Sequence, residues 1–86
     1  MPGAATQVFS REFDAVLKRL PQNIAALIEE KINFVGVRLH SFSHYRMSGR
    51  GEFRLRVGDY RVIYSFNLAT NEIYLIALGN RREIYR

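Results

Sequence analysis

Hydrophobic and polar positions alternate with period two from Phe53 to Tyr64 on both sides of Gly58-Asp59, with Ile63 the one apolar residue at a polar position. Gly followed by Asp between two such runs signals a two-residue β-hairpin loop. A loop of that length fixes the register, with Val57 facing Tyr60, Arg56 facing Arg61, Leu55 facing Val62, Arg54 facing Ile63 and Phe53 facing Tyr64. Side chains at i and i+2 share a face of a strand. One hairpin face is therefore Phe53, Leu55, Val57, Tyr60, Val62 and Tyr64. The other carries Arg54, Arg56 and Arg61, relieved only by Ile63.

Upstream the period changes. Ser10 suits a helix N-cap, Glu12 and Asp14 fall in the first turn, and Phe13, Val16, Leu17 and Leu20 follow helical spacing. Lys18 and Arg19 sit near the end of this helix, and Pro21 stops it while suiting the start of the next. Ile24, Leu27, Ile28 and Ile32 mark the buried stripe of a second helix ending near Gly36. Thr6 to Phe9 reads as a short strand, and residues 1–5 as a flexible tail. Residues 37–51 read as connection, broken by serines and glycines, with Val37, Leu39 and Phe42 able to pack on the core. Asn67 to Asn71 is a polar loop. Glu72 to Gly79 is a strand with Ile73, Leu75 and Ala77 on one face and Tyr74, Ile76 and Leu78 on the other. Apolar on both faces, it belongs inside a sheet. The order is strand, helix, helix and a three-stranded meander: one α+β domain over residues 1–86, its helix pair on the apolar hairpin face and its arginine face open.

Size and composition leave this picture intact. A chain of 86 residues buries about 60% of its unfolded surface, and 48% hydrophobic content supplies a core. The lack of cysteine fits a reducing compartment and excludes thiol chemistry. No apolar run approaches the roughly 20 residues of a membrane span, and the first residues lack the character of a secretory signal. These features predict a cytoplasmic protein without membrane association. Charge adds more. The net +5 is uneven: residues 1–45 hold five basic and four acidic side chains, residues 46–86 eight and four, and all eight are arginine. Arginine forks onto phosphate, whereas lysine would serve plain solubility, so the bias favours nucleic acid or an acidic protein partner.

Arg54, Arg56 and Arg61 are the first candidates. A solvated outer face is the bland account of strand arginines, but like charges opposed on a ladder are unfavourable. Their crowding on one small face points to a floor for phosphate. Arg46 and Arg50 add charge in the connecting segment and are candidate substrate-binding residues. Arg81 and Arg82 directly follow the interior strand, which limits their reach. Tyr85 is a core or rim aromatic, the common case for a lone tyrosine, or a hydroxyl that stacks on a base or moves a proton. His40 and His44 can each titrate near neutrality as a base, although loop histidines are mostly surface residues. Glu52, Asp59, Glu72 and Glu83 have no metal-ligand spacing, and no nucleophile elbow, phosphate loop or dinucleotide pattern occurs. The expected mechanism uses no metal and no cofactor.

The run Phe53-Arg-Leu-Arg-Val-Gly-Asp-Tyr-Arg-Val-Ile-Tyr64, followed by Gly79-Asn-Arg-Arg-Glu-Ile-Tyr-Arg86, resembles the RelE/ParE superfamily of bacterial toxin–antitoxin toxins, the RelE branch more closely. Phe9-Ser-Arg-Glu-Phe13 and Leu20-Pro21 extend the resemblance over nearly the whole chain. It implies a RelE-like β-α-α-β-β-β domain with a mostly antiparallel four-stranded sheet. It also implies an endoribonuclease that cuts mRNA in the ribosomal A site and is silenced by a cognate antitoxin. By position, Arg54 and Arg56 match basic residues of the first hairpin strand, and Arg61 the arginine after the turn tyrosine. Arg81 matches the arginine after the last strand, and Tyr85 the near-terminal tyrosine. The chain departs from some members in having arginine for lysine on the first strand and a terminal loop about two residues shorter, which leaves Arg81 and Arg82 both open for the same role.

In such a reaction the ribose 2′-OH attacks its own phosphate. Arg61 and Arg81 would stabilise the developing charge while Arg54 or Arg56 grips flanking phosphates. Arginine is a poor base, so activation of the 2′-OH falls to Tyr85, a histidine, the ribosome or the charge field. Two other functions remain open: a ParE-like inhibitor of DNA gyrase without catalytic residues, and a basic module that only binds RNA or an acidic partner.

Overall fold

The computed structural model describes residues 3–47, 49 and 51–80. Its elements are β1 (Thr6–Phe9), α1 (Arg11–Arg19), α2 (Gln22–Gly36), β2 (Tyr45–Arg46), β3 (Phe53–Val57), β4 (Tyr60–Asn67) and β5 (Glu72–Asn80). The strands form one sheet in the order β1-β5-β4-β3-β2. β1 lies parallel to β5, and every other pairing is antiparallel. The α+β class and the interior place of the last strand are as the pattern predicts. The strand count is not: there are five. Tyr45 and Arg46 pair with Arg54 and Phe53, and the Met47 amide donates to the Glu52 carbonyl at 2.9 Å. Two residues are too few to show a period, so this strand is written in its partner and not in itself.

The β3–β4 hairpin has the predicted register at all five pairs. Gly58 takes φ +59° while Asp59 is not left-handed, the pattern of a type II′ turn with Gly at its first central position. The apolar hairpin face meets the helices. Phe13 and Leu17 of α1 and Ile28, Ile32 and Val35 of α2 share one core with Leu55, Val62, Tyr64, Ile73, Leu75 and Leu78. Leu27, expected in that stripe, is 54% exposed instead. The buried line is Ile28, Ile32 and Val35, and Leu27 lies one position off it. Val37 is likewise exposed, whereas Leu39 is buried and Phe42 packs on the core.

The pattern also misplaces two side chains of β5. Ile63 pairs with Ala77 but Tyr64 pairs with Leu75, so Ile76 is an extra residue bulging from the ladder. A bulge reverses the alternation beyond it. Leu78 therefore joins Ile73 and Leu75 in the core, and Ala77 turns to the opposite face beside Ile63. Ser10 holds this irregularity from the first helix. Its hydroxyl oxygen accepts from the Phe13 amide at 3.0 Å as N-cap and its O–H donates to the Ile76 carbonyl at 2.7 Å. Its own amide donates to the Leu75 carbonyl at 2.9 Å.

Candidate functional site

Two cross-strand rows lie side by side on the face away from the helices. One runs Tyr45, Arg54, Ile63, Ala77, and the next Arg56, Arg61, Gly79. The β5 bulge puts small residues at the inner ends of both rows, so Arg61 stands opposite a residue with no side chain. Ile63 and Ala77, backed by Met47 and Ile76, form a small apolar patch alongside. Tyr45, Arg54, Arg56 and Arg61 line a depression of about 330 Å³, at the small end of the range for ligand clefts.

The electrostatics follow from the walls. Arg56 is exposed, and Arg54 and Arg61 are half-buried. The Arg54 guanidinium lies 4.3 Å from the Tyr45 ring centroid, a cation–π contact that fixes its plane. An ion pair joins Lys18 to Asp14 elsewhere, on α1. Among the described residues no carboxylate or histidine lines the depression. The arrangement offers permanently charged, forked donors on a rigid strand pair, which suits a phosphate, and its described arginines are no proton acceptors.

Arg54, Arg56 and Arg61 are thus brought together as the hairpin register predicts. Arg46 is not among them. Paired with Phe53, it points to the helix side, its guanidinium 5.2 Å from the Phe53 ring centroid. Arg50, Arg81, Arg82 and Tyr85 lie outside the described residues. Tyr45 is the wall that sequence reasoning missed. Reading Tyr45-Arg46 as the partner of Phe53-Arg54 would have put it on the arginine face.

The histidines sit apart from the depression. His44 is enclosed by Phe42, Phe53, Tyr64 and Phe66, stacking on Phe66 at 4.1 Å. Its Nε2 is 2.9 Å from the Leu39 carbonyl and its Nδ1 2.6 Å from the Tyr64 hydroxyl. A carbonyl only accepts, so Nε2 carries a proton, and in the neutral ring the Tyr64 O–H donates to Nδ1. Both nitrogens are engaged on the helix side, and His44 reads as a pin between the connecting segment and the sheet. Burial pushes the Tyr64 phenol up to about 12. His40 is exposed, in a separate depression with Gly3 and Asn71. Among the described residues no group of three His, Cys, Asp or Glu side chains could hold a metal ion, and no helix is long and apolar enough to cross a membrane.

Comparison with solved structures finds this fold in RelE toxins. The chain is similar to the RelBE2 toxin–antitoxin complex from Mycobacterium tuberculosis, with TM-score 0.74, 22% identity, and 94% of this chain and 95% of that chain covered. It is similar to the RelE–RelB complex from Pyrococcus horikoshii, with TM-score 0.72, 26% identity, and 91% and 96% covered. It is also similar to the isolated RelE toxin of E. coli, with TM-score 0.75, 12% identity, and 90% and 84% covered. Comparison with curated proteins gives no match. The family model described as the ParE toxin of the type II toxin–antitoxin system, parDE, matches residues 8–85. Matched over nearly all its length, this chain belongs to the ParE toxin family of type II toxin–antitoxin systems, within the RelE/ParE superfamily.

Proposed function

We propose that this toxin is an endoribonuclease of the RelE type that cuts mRNA in the ribosomal A site and is held silent by a cognate antitoxin. The observation that carries the reading is the depression lined by Tyr45, Arg54, Arg56 and Arg61. Three guanidiniums gathered on an open, rigid face oppose stability, and an anionic substrate accounts for them. Similarity to RelE structures, two of them complexes with RelB, supports an antitoxin partner. An acidic or amphipathic segment lying over the arginine face would silence it.

In this mechanism the 2′-oxygen loses its proton and bonds to the adjacent phosphorus as the bond to the departing 5′-oxygen breaks. Arg61 donates to the nonbridging oxygens as charge builds there. Arg54 and Arg56 hold neighbouring phosphates. Arg81, with Arg82 as the competing assignment, and Tyr85 are assigned by family position to the leaving side and to the base or its proton. Arg50 is kept as a substrate contact, and Arg46 is released from that role by its orientation.

A second reading draws on the family match, whose description is a ParE toxin: inhibition of DNA gyrase by binding alone. Primer extension on mRNA after induction separates the two. Codon-phased cuts with translation arrest are expected, and Arg61→Ala abolishes them with the protein still folded. Intact mRNA with a DNA-damage response, or undiminished growth arrest by both Arg61→Ala and Arg81→Ala, would overturn the nuclease.

A further inference from the structure

We infer that the Tyr45–Arg54 pair is a stacking platform for a nucleobase of single-stranded RNA, next to the phosphate grip of Arg56 and Arg61. That the ligand is RNA rests on the nuclease reading; the platform itself rests on geometry. Tyr45 is 62% exposed, the most exposed large apolar or aromatic side chain among the described residues. It stands on a two-residue edge strand, where a polar residue would protect the edge better. Arg54 holds its ring at 4.3 Å, and the exposure of that ring leaves surface for a second planar group. Successive positions on one strand face are about 7 Å apart, so the Tyr45–Arg54 row and the Arg56–Arg61 row are within reach of one nucleotide, base on the first and phosphate on the second. Aromatic stacking in a basic groove is how single strands are held without reading sequence, and a cation–π contact from arginine strengthens it. A protein carboxylate would satisfy the arginines equally well but has no use for the ring.

The test compares binding of a short 2′-O-methyl RNA, which cannot be cut, with an abasic chain of the same length and charge. Both are measured by fluorescence anisotropy at low salt on the full chain. The wild type is expected to prefer the base-bearing chain by about 5- to 150-fold, the usual worth of one stacked base. Tyr45→Ala should remove that preference, and Tyr45→Phe should keep it. Arg56→Ala should weaken both ligands alike. Equal binding of the two chains by the wild type, as a purely electrostatic or protein-directed surface would give, overturns the platform. So does a preference that survives Tyr45→Ala, one lost in Tyr45→Phe, or failure of both chains to bind. Messenger cleavage in cells is scored separately. Cuts without a Tyr45-dependent base preference keep the nuclease and reject the platform, while the preference without cuts does the reverse.

Discussion

Ser10→Ala tests how the first helix and the bulged strand are joined. Serine at this position makes two hydrogen bonds through one hydroxyl: it accepts from the Phe13 amide and donates to the Ile76 carbonyl. Losing an N-cap costs about 1 kcal/mol, and losing the bond to the bulge carbonyl about another 1 kcal/mol. The Ser10 amide bond to Leu75 survives any substitution except proline. A loss of about 2 kcal/mol lowers the melting temperature of a domain this size by roughly 8–16 °C. Ser10→Asp divides the sum, because a carboxylate caps the helix and favours its dipole but has no proton to donate to Ile76 at neutral pH. It should recover about half. Urea titrations followed by circular dichroism at pH 7 measure both variants, with an unchanged m-value as the check that the unfolding transition is the same. A loss below about 0.5 kcal/mol in Ser10→Ala would place it with ordinary surface substitutions and refute the coupling. An aspartate variant as unstable as the alanine would refute the division.

Two further outcomes follow from the two faces of the sheet. Because Tyr64 is buried and its phenol raised to about 12 while an unfolded tyrosine titrates near 10, its neutral form contributes stability in full below pH 10. That contribution, about 2–3 kcal/mol, drains away as pH rises from 10 to 12. Denaturation across that window should show the slope in the wild type and lose it in Tyr64→Phe, which starts lower at pH 7 by about 1 kcal/mol for the missing bond to His44; the same alkaline slope in both would sink the assignment. On the other face, Arg56→Gln should leave stability level or raise it by a few tenths of a kcal/mol through relief of its like-charged partner Arg61, while weakening RNA binding. A clear loss of stability would mean that Arg56 is structural.

Most of the sheet could be read from the sequence because alternation and turn chemistry act locally. The hairpin is the clearest case: Gly58-Asp59 dictates the register, and the register alone gathers Arg54, Arg56 and Arg61. What escaped prediction depends on contacts made at a distance. Ile76 bulges where Ser10, sixty-six positions earlier, reaches its carbonyl, and nothing in the run Ile73 to Leu78 announces the break. Tyr45 and Arg46 become a strand only because Phe53 and Arg54 offer an edge. Arg46 looked equivalent to the site arginines by charge, but one step along a strand reverses a side chain. His44 looked like a free loop base until four aromatic rings closed on it.

The same bulge links stability to chemistry. Were β5 regular past Leu75, Leu78 would face the arginines and Ala77 the core, removing a large side chain from the helix packing and placing one in the site. The irregularity corrects both faces at once, leaving Ala77 and Gly79 as a low floor beside Ile63 and Arg61. Among the described residues the main core lies on the helix side, with Ile63 and Ala77 buried on the arginine face, so the arginines themselves can change with little effect on the packing beneath. That separation is what makes charge substitutions there interpretable as function. It also bears on the choice between targets. A surface that only docks on a protein gains from apolar anchors at its centre, yet this depression has charged donors at its centre and one exposed ring at its edge. Such a surface fits a polyanion with planar bases, and the proposed mechanism leaves the proton acceptor that its described walls lack to Tyr85 or to the substrate's own setting. Under the proposed function, cleavage that is strong on translating ribosomes and weak on naked mRNA would assign that acceptor to the ribosome, and equal cleavage of both would assign it to this chain.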